Sequence, residues 1–506
     1  TVAPDGSISS NQGSYAGFET FYVTLGNGDN SVATGAGADT ISGGTGTNIL
    51  SGGAGNDTIY SNGGVDHVHG GADKDSWYGN YSASTMDLDF SYSGTLGSLS
   101  NGTVLSNIEY VQLTTGSGND SANLSSTSSI GYFDGGAGHD SLTVDNSGTS
   151  GGYYYGSVSS NGAGGFAGTV YGPLGSTSFN NVEALDITLA DDDNYLYVDT
   201  SPLASGATLD LDGGLGNDTL QIDFSQLGDT QFTVTPNGSI SSNHGSYAGF
   251  ESFNVSLGGG TNSVTTGAAT DTIIGGLGSS SMSGGAGNDT IYTVGGVDHV
   301  DGGADYDTWY GGYTGSTADL TFNFSGTSGS LSNGTTLANI EYIGLSTGSG
   351  NDSAALTATS VVGYFDAGAG IDSLTVDYSG STGGYYYGSV SSDGAGGFAG
   401  TVYGPQGSTS FNNVETLDIT LTDDDNYLYV DASSSLLGAS LFVDGGVGSD
   451  TVQTSGLLSG YSIIEDGLGG YTVTDMDASD GDHGQFTVHG LEFLQFDDQQ
   501  ISLPAY

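Results

Sequence analysis

A nine-residue repeat runs without insertion from Leu25 to Tyr78 and constrains the fold more than any other feature of the chain. Its six frames read LGNGDNSVA, TGAGADTIS, GGTGTNILS, GGAGNDTIY, SNGGVDHVH and GGADKDSWY. Position six carries Asn30, Asp39, Asn48, Asp57, Asp66 and Asp75, and position eight carries Val32, Ile41, Leu50, Ile59, Val68 and Trp77. A disordered glycine-rich linker would not keep an apolar residue at one phase, so the frames predict ordered short strands.

The chemistry of each frame explains its spacing. Glycine allows tight left-handed turns and close approach of carbonyl groups. Ca²⁺ takes six to eight oxygen ligands, from carboxylates and backbone carbonyls alike. The residues after position six form a short strand whose apolar member points inward, where burial contributes roughly 1.5–3 kcal/mol for each side chain.

The frames resemble the GGxGxDxUx nonapeptide of the repeats-in-toxin (RTX) calcium-binding family. The resemblance implies an all-β fold: a right-handed parallel β-roll or β-helix with tandem repeats and calcium-binding GGxGxD turns. It also implies Ca²⁺ as the cofactor, bound in several copies, and it places two nonapeptides in each coil.

Two nonapeptides per coil would stack alternate frames along the same edge. One edge then carries Asp39, Asp57 and Asp75, and the other carries Asn30, Asn48 and Asp66. The first edge keeps every carboxylate, so we expect it to bind calcium well and the second edge to bind it weakly or not at all. The corresponding later frames repeat the asymmetry, with Asp271, Asp289 and Asp307 on one edge and Asn262, Ser280 and Asp298 on the other.

The chain contains two long copies of one sequence. TVAPDGSISSNQGSYAGFETF begins at Thr1 and TVTPNGSISSNHGSYAGFESF at Thr233, an offset of 232 residues. We therefore expect a first β-roll repeat over residues 1–232, a second over 233–455, and a C-terminal capping segment over 456–506. The stretches between acidic turns alternate Tyr, Val and Phe with Gly and Ser, which predicts hairpins or extra strands. No stretch keeps a 3.6-residue period, so no helix is expected.

The candidate calcium ligands are aspartates in these frames and in isolated nonapeptide-like turns further along each copy. They are Asp39, Asp57, Asp66, Asp73, Asp75, Asp120, Asp134, Asp140, Asp212, Asp218, Asp271, Asp289, Asp298, Asp305, Asp307, Asp352, Asp366, Asp372, Asp444 and Asp450. A strand with one glutamate also recurs, at Glu19, Glu109, Glu183, Glu251, Glu341 and Glu415. The segment from Gly490 to Asp498, with Glu492 in the glutamate position, resembles the strand that closes the roll at the C-terminal end of many RTX proteins. We expect it to cap the last coil, and an ordinary terminal hairpin is the alternative.

Charge and composition restrict the partners. The chain has 57 acidic residues, a single Lys or Arg residue and a formal net charge of −56, which bound divalent cations would relieve. This balance argues against nucleic acid as a partner, and no apolar run is long enough to insert in a membrane. The absence of Cys fits an extracellular or cell-surface protein stabilised by metal. The resemblance implies secretion by a C-terminal, type I-like signal.

Few residues suggest catalysis. The HExxH motif is absent, and so is a cysteine nucleophile. His67 and His69 would share one strand face, but Asp301 replaces the second histidine in the later copy, which favours a solvent-facing polar strand over a transition-metal site. The acid pairs sit in glycine-rich turns, where calcium binding explains them better than a glycosidase does. We therefore expect no enzymatic activity.

Three functions remain open. The first is an extracellular structural protein that assembles with copies of itself into a filament, surface layer or matrix. The second is a calcium-stiffened adhesin stalk or ligand-binding surface protein, with cell-surface polysaccharide as a candidate partner. The third is the calcium-binding tail of a secreted enzyme. The triple tyrosines at 153–155 and 385–387 either pack over the roll or offer a contact surface.

Overall fold

The computed structural model of the chain describes residues 7–10, 13–16, 18–125, 130–147, 149, 152–173, 175–200, 206–357, 362–381, 384–405, 407–433, 439–477 and 484–504. These residues form two compact units, Thr1–Leu257 and Gly258–Tyr506. Over the described ranges the structure contains β-strands and one short 3₁₀ turn at Leu458–Gly460, so the prediction of an all-β protein is confirmed.

The strands of the first unit are β1 Ser7–Ser10, β2 Gly13–Ala16, β3 Tyr22–Thr24, β4 Asn30–Ala33, β5 Thr40–Ser42, β6 Thr47–Ala54, β7 Thr58–Ser61, β8 Val65–Ala72, β9 Ser76–Asn80, β10 Asp89–Ser93, β11 Leu96–Leu99, β12 Val104–Ser106, β13 Tyr110–Thr114, β14 Ser121–Ser125, β15 Ile130–Asp134, β16 Ser141–Asp145, β17 Tyr155–Ser160, β18 Phe166–Gly172, β19 Gly175–Val182, β20 Ala184–Thr188, β21 Tyr195–Asp199, β22 Thr208–Asp212, β23 Thr219–Asp223, β24 Gln231–Val234, β25 Ile240–Ser242, β26 Ser246–Ala248 and β27 Ser252–Ser256.

The strands of the second unit are β28 Asn262–Thr265, β29 Thr272–Ile274, β30 Ser280–Ala286, β31 Thr290–Thr293, β32 His299–Ala304, β33 Thr308–Gly312, β34 Thr321–Ser325, β35 Ser328–Leu331, β36 Thr336–Ala338, β37 Tyr342–Ser346, β38 Ser353–Thr357, β39 Val362–Asp366, β40 Ser373–Asp377, β41 Tyr387–Ser392, β42 Phe398–Gly404, β43 Gly407–Val414, β44 Thr416–Thr420, β45 Tyr427–Asp431, β46 Ser440–Asp444, β47 Thr451–Gln453, β48 Tyr461–Glu465, β49 Tyr471–Asp475, β50 Gln485–His489, β51 Phe493–Gln495 and β52 Gln500–Ser502.

Alternate nonapeptides stack on each other, as a β-roll with two nonapeptides per coil requires. In the first unit β5 pairs in parallel with β7, which places Ile41 beside Ile59. On the other side β6 pairs in parallel with β8, which places Leu50 beside Val68. Both registers advance by two frames of nine residues, so the predicted parallel β-roll is confirmed.

The core of the roll is a ladder of position-eight side chains. Ile41, Leu50, Ile59, Val68 and Trp77 are buried, while Val32 in the first frame is only half-buried. The indole N–H of Trp77 donates a hydrogen bond of 2.9 Å to Ser61 Oγ, which satisfies its polar atom inside the core. The frame therefore buries one apolar side chain for every nine residues and leaves the turns to polar chemistry.

Hairpins interrupt the coils where the sequence predicts extra strands. In the first unit β10, β11 and β12 pair antiparallel in order, after which β10 pairs in parallel with β14. Further along, β17, β18 and β19 form a second antiparallel set. The second unit repeats both arrangements in β34–β36 and β41–β43. The parallel stacking resumes after each hairpin, so the roll continues past the insertions.

The first compact unit ends later than the first sequence copy. Strands β26 and β27 lie in the second copy, yet they pair in parallel with β22 and β23 of the first. These strands complete the last coil of the first unit, because a parallel coil exposes an open edge until the next strand covers it.

The C-terminal segment packs on the last coil of the second unit. Strands β46 and β47 pair in parallel with β50 and β51, and β48, β49 and β52 add antiparallel partners. Antiparallel strands at this position end the parallel stacking. Among the described residues, no helix is long and apolar enough to cross a membrane.

Candidate metal centre

One edge of the first unit is a column of buried aspartates. Asp39, Asp57 and Asp75 are each about 1 % exposed. The backbone N–H of Asp39 donates a 2.7 Å hydrogen bond to Asp57 Oδ1, and the N–H of Asp57 donates one of the same length to Asp75 Oδ1. One oxygen of the Asp57 carboxylate and one of the Asp75 carboxylate therefore accept hydrogen bonds from the backbone of the aspartate one coil earlier.

In two of these three carboxylates the second oxygen has no hydrogen-bond donor. Asp57 Oδ2 and Asp75 Oδ2 are both buried and unpartnered. Twelve turn aspartates share this state: Asp57, Asp66, Asp75, Asp120, Asp140, Asp218, Asp289, Asp298, Asp307, Asp352, Asp372 and Asp450. A buried acceptor without a partner costs roughly 1–3 kcal/mol, and more when charged. A cation beside the unpartnered oxygen would remove that cost, and carboxylate and carbonyl oxygens are the ligands that Ca²⁺ prefers.

Glycine at the start of each turn leaves room for the carboxylate. A methyl group on Gly52 would lie 2.1 Å from Asp57 Oδ2, and one on Gly284 would lie 2.2 Å from Asp289 Oδ2. The next residue, Gly53, has a φ of 107°, which L side chains rarely adopt. The glycine pair of the repeat is therefore needed for both space and backbone conformation beside the unpartnered oxygen.

Burial opposes the charge that these carboxylates would carry alone. It raises the pKa of Asp57 from an ordinary 3.8 to about 7, and the hydrogen bond from Asp39 only partly offsets this. Burial likewise raises the pKa of Asp289 to about 7 and that of Asp75 to about 6. The neighbouring carboxylates of each column add to the rise. A bound divalent cation would stabilise the ionised forms and so couple metal binding to folding.

On the other edge, asparagine side chains donate hydrogen bonds to the carbonyls of their own turns. Asn48 Nδ2 donates hydrogen bonds of 3.1 Å to both Gly44 O and Gly46 O, carbonyls of its own turn. Asn262 Nδ2 does the same in the second unit, at 3.0 Å and 3.2 Å. A carboxylate has no hydrogen to give, so an aspartate turn leaves these carbonyls available to a cation. The asparagine amide supplies the positive partner from within the chain.

The two edges thus differ in hydrogen bonding, and their difference in calcium binding stays a prediction. On the asparagine edge, Asp66 and Asp298 keep an unpartnered buried oxygen, and both stand at the end of their row. Their backbone N–H groups donate to Thr103 Oγ1 and Thr335 Oγ1, each at 3.1 Å, where the first edge has a further carboxylate. The aspartate edge therefore has more unpartnered carboxylate oxygens than the asparagine edge.

A comparison with known protein families agrees with this geometry. The profile of the RTX calcium-binding nonapeptide repeat matches the chain in four copies, at residues 24–59, 42–76, 255–282 and 278–308. The chain carries RTX calcium-binding repeats. They cover the frames whose aspartates stand in buried columns, and several copies imply several Ca²⁺ ions. No curated protein gives a significant match to the chain.

Turns outside the matched RTX residues have the same chemistry. Asp140 and Asp218 lie in isolated nonapeptides of the first unit, and each has an unpartnered buried Oδ2. Asp120 N–H donates to Asp140 Oδ1 at 2.7 Å, which repeats the column geometry of the RTX frames. Asn194 N–H donates to Asp218 Oδ1 at 2.7 Å, so this short column has one asparagine and one aspartate.

The remaining sequence-predicted ligands already have backbone donors. Asp39 and Asp271, at the start of their columns, accept hydrogen bonds from Gly35 N–H at 3.3 Å and Gly267 N–H at 3.1 Å. Six others are half-buried or exposed, in turns or at the ends of strands, and accept glycine N–H groups at 3.0–3.3 Å: Asp73, Asp134, Asp212, Asp305, Asp366 and Asp444. Their oxygens support the turns, and their role as RTX calcium ligands stays a prediction.

The described residues contain no cluster of three or more His, Cys, Asp or Glu side chains arranged to hold a metal. The RTX sites must therefore draw most of their ligands from backbone carbonyls, which glycine turns present at close range. His67 and His69 are exposed, and His69 Nδ1 lies 3.0 Å from Ser106 Oγ. They form a polar outer face of β8.

Proposed function

We propose that this protein is a calcium-dependent structural protein of the cell exterior that assembles with copies of itself. The calcium chemistry of the repeats carries the first part of the proposal, since metal binding would be part of folding. RTX repeats are typical of secreted proteins, and extracellular calcium is high enough for modules of modest affinity. The proposal gives the chain a structural role and no catalytic one.

Exposed tyrosine stacks carry the second part. Tyr153, Tyr155 and Tyr171 stack side by side, with ring centroids 5.8 Å and 4.9 Å apart, and each is 42–55 % exposed. The middle residue of the triple, Tyr154, is buried. The alternation leaves a compact aromatic surface on a chain otherwise rich in carboxylates, and such surfaces are enriched at protein interfaces.

The same stack occurs once in each unit. Tyr385, Tyr387 and Tyr403 have centroid separations of 5.6 Å and 5.2 Å and similar exposure. A chain with two equivalent contact surfaces can join two neighbours, and contacts that do not close generate a filament or sheet. Copies with a net charge of −56 repel each other, so assembly is expected to require divalent cations as well as aromatic contacts.

Electron microscopy of the full chain tests the proposal. Filaments or sheets in millimolar calcium, which disperse after excess EGTA, would support it. The variant Y155S/Y387S should fold and bind calcium but remain dispersed. Its matched control is Y60S/Y292S, which removes one half-exposed tyrosine from a different stack in each unit. Dispersed wild-type protein in calcium, or assembly by Y155S/Y387S, would contradict the proposal.

A polysaccharide-binding surface protein is the second candidate, because the first unit has an open groove of about 500 Å³. Its polar and aromatic walls include Tyr110, Gln112, Tyr132 and Asp134. Tyrosine rings, an amide and a carboxylate are groups that bind the hydroxyls of a neutral sugar. The second unit has Gly344 in place of Gln112, so the groove there lacks the amide. Saturable binding of a neutral polysaccharide that Q112A abolishes would favour this candidate. The absence of binding across a glycan array would exclude it.

A further inference from the structure

Each aspartate column of the roll ends on a glutamate. The N–H of Asp75 donates a 2.7 Å hydrogen bond to Glu109 Oε2, just as the N–H of Asp57 donates to Asp75 Oδ1. The same bond, at 2.7–2.9 Å, closes six columns: Asp75–Glu109, Asp140–Glu183, Asp218–Glu251, Asp307–Glu341, Asp372–Glu415 and Asp450–Glu492. Each glutamate therefore takes the place of the next aspartate, although it lies outside any nonapeptide.

Backbone bonds hold the glutamate in this place. The carbonyl oxygen of Asp75 accepts hydrogen bonds of 3.0 Å from both Glu109 N–H and Tyr110 N–H. In the second unit the carbonyl of Asp307 accepts the same pair of bonds from Glu341 and Tyr342. The aspartate carbonyl thus accepts from the glutamate backbone, and the aspartate N–H donates to the glutamate side chain, so the two residues are held together at one edge of the coil.

A carbonyl oxygen lies beside the aspartate carboxylate of both pairs. Asn107, two residues before Glu109, adopts a φ of 51°, in the left-handed region. A methyl group placed on Gly70 would lie 1.9 Å from Asn107 O and 2.5 Å from Asp75 Oδ2, so both oxygens point at the bare face of that glycine. Gly302 in the second unit has the equivalent oxygens at 2.0 Å and 2.6 Å, from Asn339 and Asp307.

The converging oxygens are acceptors, and the central one has no donor. Asp75 Oδ2 and Asp307 Oδ2 are buried and unpartnered, and each residue is about 1 % exposed or less. Two carboxylates and a carbonyl held together in this way repel one another unless a cation lies among them. Hard oxygen ligands of this kind are the set that Ca²⁺ binds.

We propose that the column-ending Asp–Glu pairs are calcium sites of a second type, each built from the aspartate Oδ2, the glutamate carboxylate and the carbonyl of the residue two before the glutamate. The proposal goes beyond the nonapeptide sites, because its second carboxylate comes from 33–43 residues later in the chain. In the first unit Glu109 follows the β10–β12 hairpins, so calcium there fastens the coil to the strand that resumes the roll after an insertion.

The second unit contains a natural exception. Ala367 stands where the first unit has Gly135, at the same turn of the sequence copy. A methyl group on Gly135 would lie 2.3 Å from Asn181 O and 2.7 Å from Asp140 Oδ2. The Asp372–Glu415 pair keeps its hydrogen bond of 2.8 Å, but by analogy with Gly135 a methyl group at this turn competes with a cation for the room beside the aspartate. This pair is therefore a weak site or none.

Calcium stoichiometry of the full chain, measured by metal analysis after equilibration at fixed free calcium, tests the proposal. E109Q/E341Q keeps an acceptor for the aspartate N–H but removes one charged ligand from each of two sites. It should lose two ions per chain, or bind them about tenfold or more weakly, since calcium affinity follows the number of charged ligands. The control E465Q removes an exposed glutamate outside the columns and should lose none.

The gain-of-binding variant A367G guards against misfolding as an explanation. It should bind one ion more than the wild type under the same conditions. Unchanged stoichiometry and affinity in both E109Q/E341Q and A367G, in a wild-type chain that holds several ions, would overturn these sites and leave the nonapeptide sites intact. A wild-type chain that holds no calcium would contradict calcium binding as a whole, so the two failures are distinguishable.

Discussion

The backbone N–H of Asp57 lies 2.7 Å from Oδ1 of Asp75, one coil further along the roll, while Oδ2 of Asp75 meets no donor. The two oxygens of the Asp75 carboxylate therefore have different roles. The first oxygen sets the register between coils, and the second is left buried for a cation. The relationship recurs between Asp289 and Asp307 in the second unit, at 2.8 Å.

Exchanging asparagine and aspartate at position six should move calcium sites between the edges. In D57N the new amide can donate to the carbonyls of its own turn, as Asn48 does, so the chain should bind less calcium. In N48D the turn loses its internal donors, and we expect the calcium-free fold to lose about 1–3 kcal/mol, recovered in calcium. Calcium titration and thermal unfolding measure both effects.

The control for N48D is N48S, because Ser280 occupies the equivalent position in the second unit. N48S should leave calcium stoichiometry unchanged. If D57N binds as many ions as the wild type and N48D shows no calcium-dependent stability, position six does not decide where the metal binds.

Adding a methyl group to the glycine beside the carboxylate should disturb the site directly. G52A would bring a methyl within 2.1 Å of Asp57 Oδ2, so we expect a loss of about 1–3 kcal/mol in stability and weaker calcium binding. Gly26 has no atom within 4 Å of an added methyl, so G26A is the matched control and should change stability by less than about 0.5 kcal/mol. Equal effects of the two variants in denaturant unfolding would show that glycine is not needed beside the Asp57 carboxylate.

Stability without calcium should fall as pH rises. The folded pKa of Asp57 and Asp289 is about 7 and that of Asp307 about 6, all above the ordinary 3.8, so the folded state binds more protons than the unfolded state between about pH 4 and pH 7. The contribution of these carboxyls is fully present below pH 3.8 and is lost as pH rises through 6 and 7. Circular dichroism in calcium-depleted buffer should show more β-structure at pH 5 than at pH 8.

Calcium should reverse this dependence, since protons and calcium compete for the same oxygens. Calcium affinity is therefore expected to rise between pH 5 and pH 8, as measured by titration calorimetry. Calcium affinity that does not change over this range, together with a calcium-free fold equally stable at both pH values, would show that the buried carboxyls do not titrate as the structure indicates.

The two tryptophans provide a separate probe in each unit. Trp77 and Trp309 are fully buried two residues after column aspartates, and the chain has no others. If folding of the roll depends on metal, as we propose, chelation at pH 8 should expose the indoles and shift their emission to longer wavelength. The variants W309F and W77F isolate the signal of each unit. If EGTA leaves the emission unchanged in both variants, neither roll needs calcium to fold.

The nonapeptide period was enough to predict the roll, because each frame carries its own turn and its own inward side chain. Ile41 and Ile59 share a register that follows from counting two frames. The edge asymmetry was also predictable from Asn48 and Asp57, since residue type alone decides whether position six can donate or only accept.

The path of the chain through the hairpins was not predictable in detail, and so the partner of Asp75 was missed. Glu109 lies 34 residues later, beyond three antiparallel strands, and no local spacing brings the two together. The signal was present in the recurrence of NIE, NVE and GFE before each resumed strand. The sequence alone does not show that this glutamate reaches the preceding column, because that contact depends on the left-handed conformation of residues such as Asn107.

A crystal structure of the full chain grown in calcium would show whether the buried aspartates bind the metal. We predict a cation within about 2.3–2.6 Å of Asp57 Oδ2 and of Asp289 Oδ2, identified by its anomalous signal. Both oxygens would then have the partner that the protein itself does not provide. Ordered water or a protein donor at these oxygens, with no cation in either column, would contradict calcium binding by the buried aspartates.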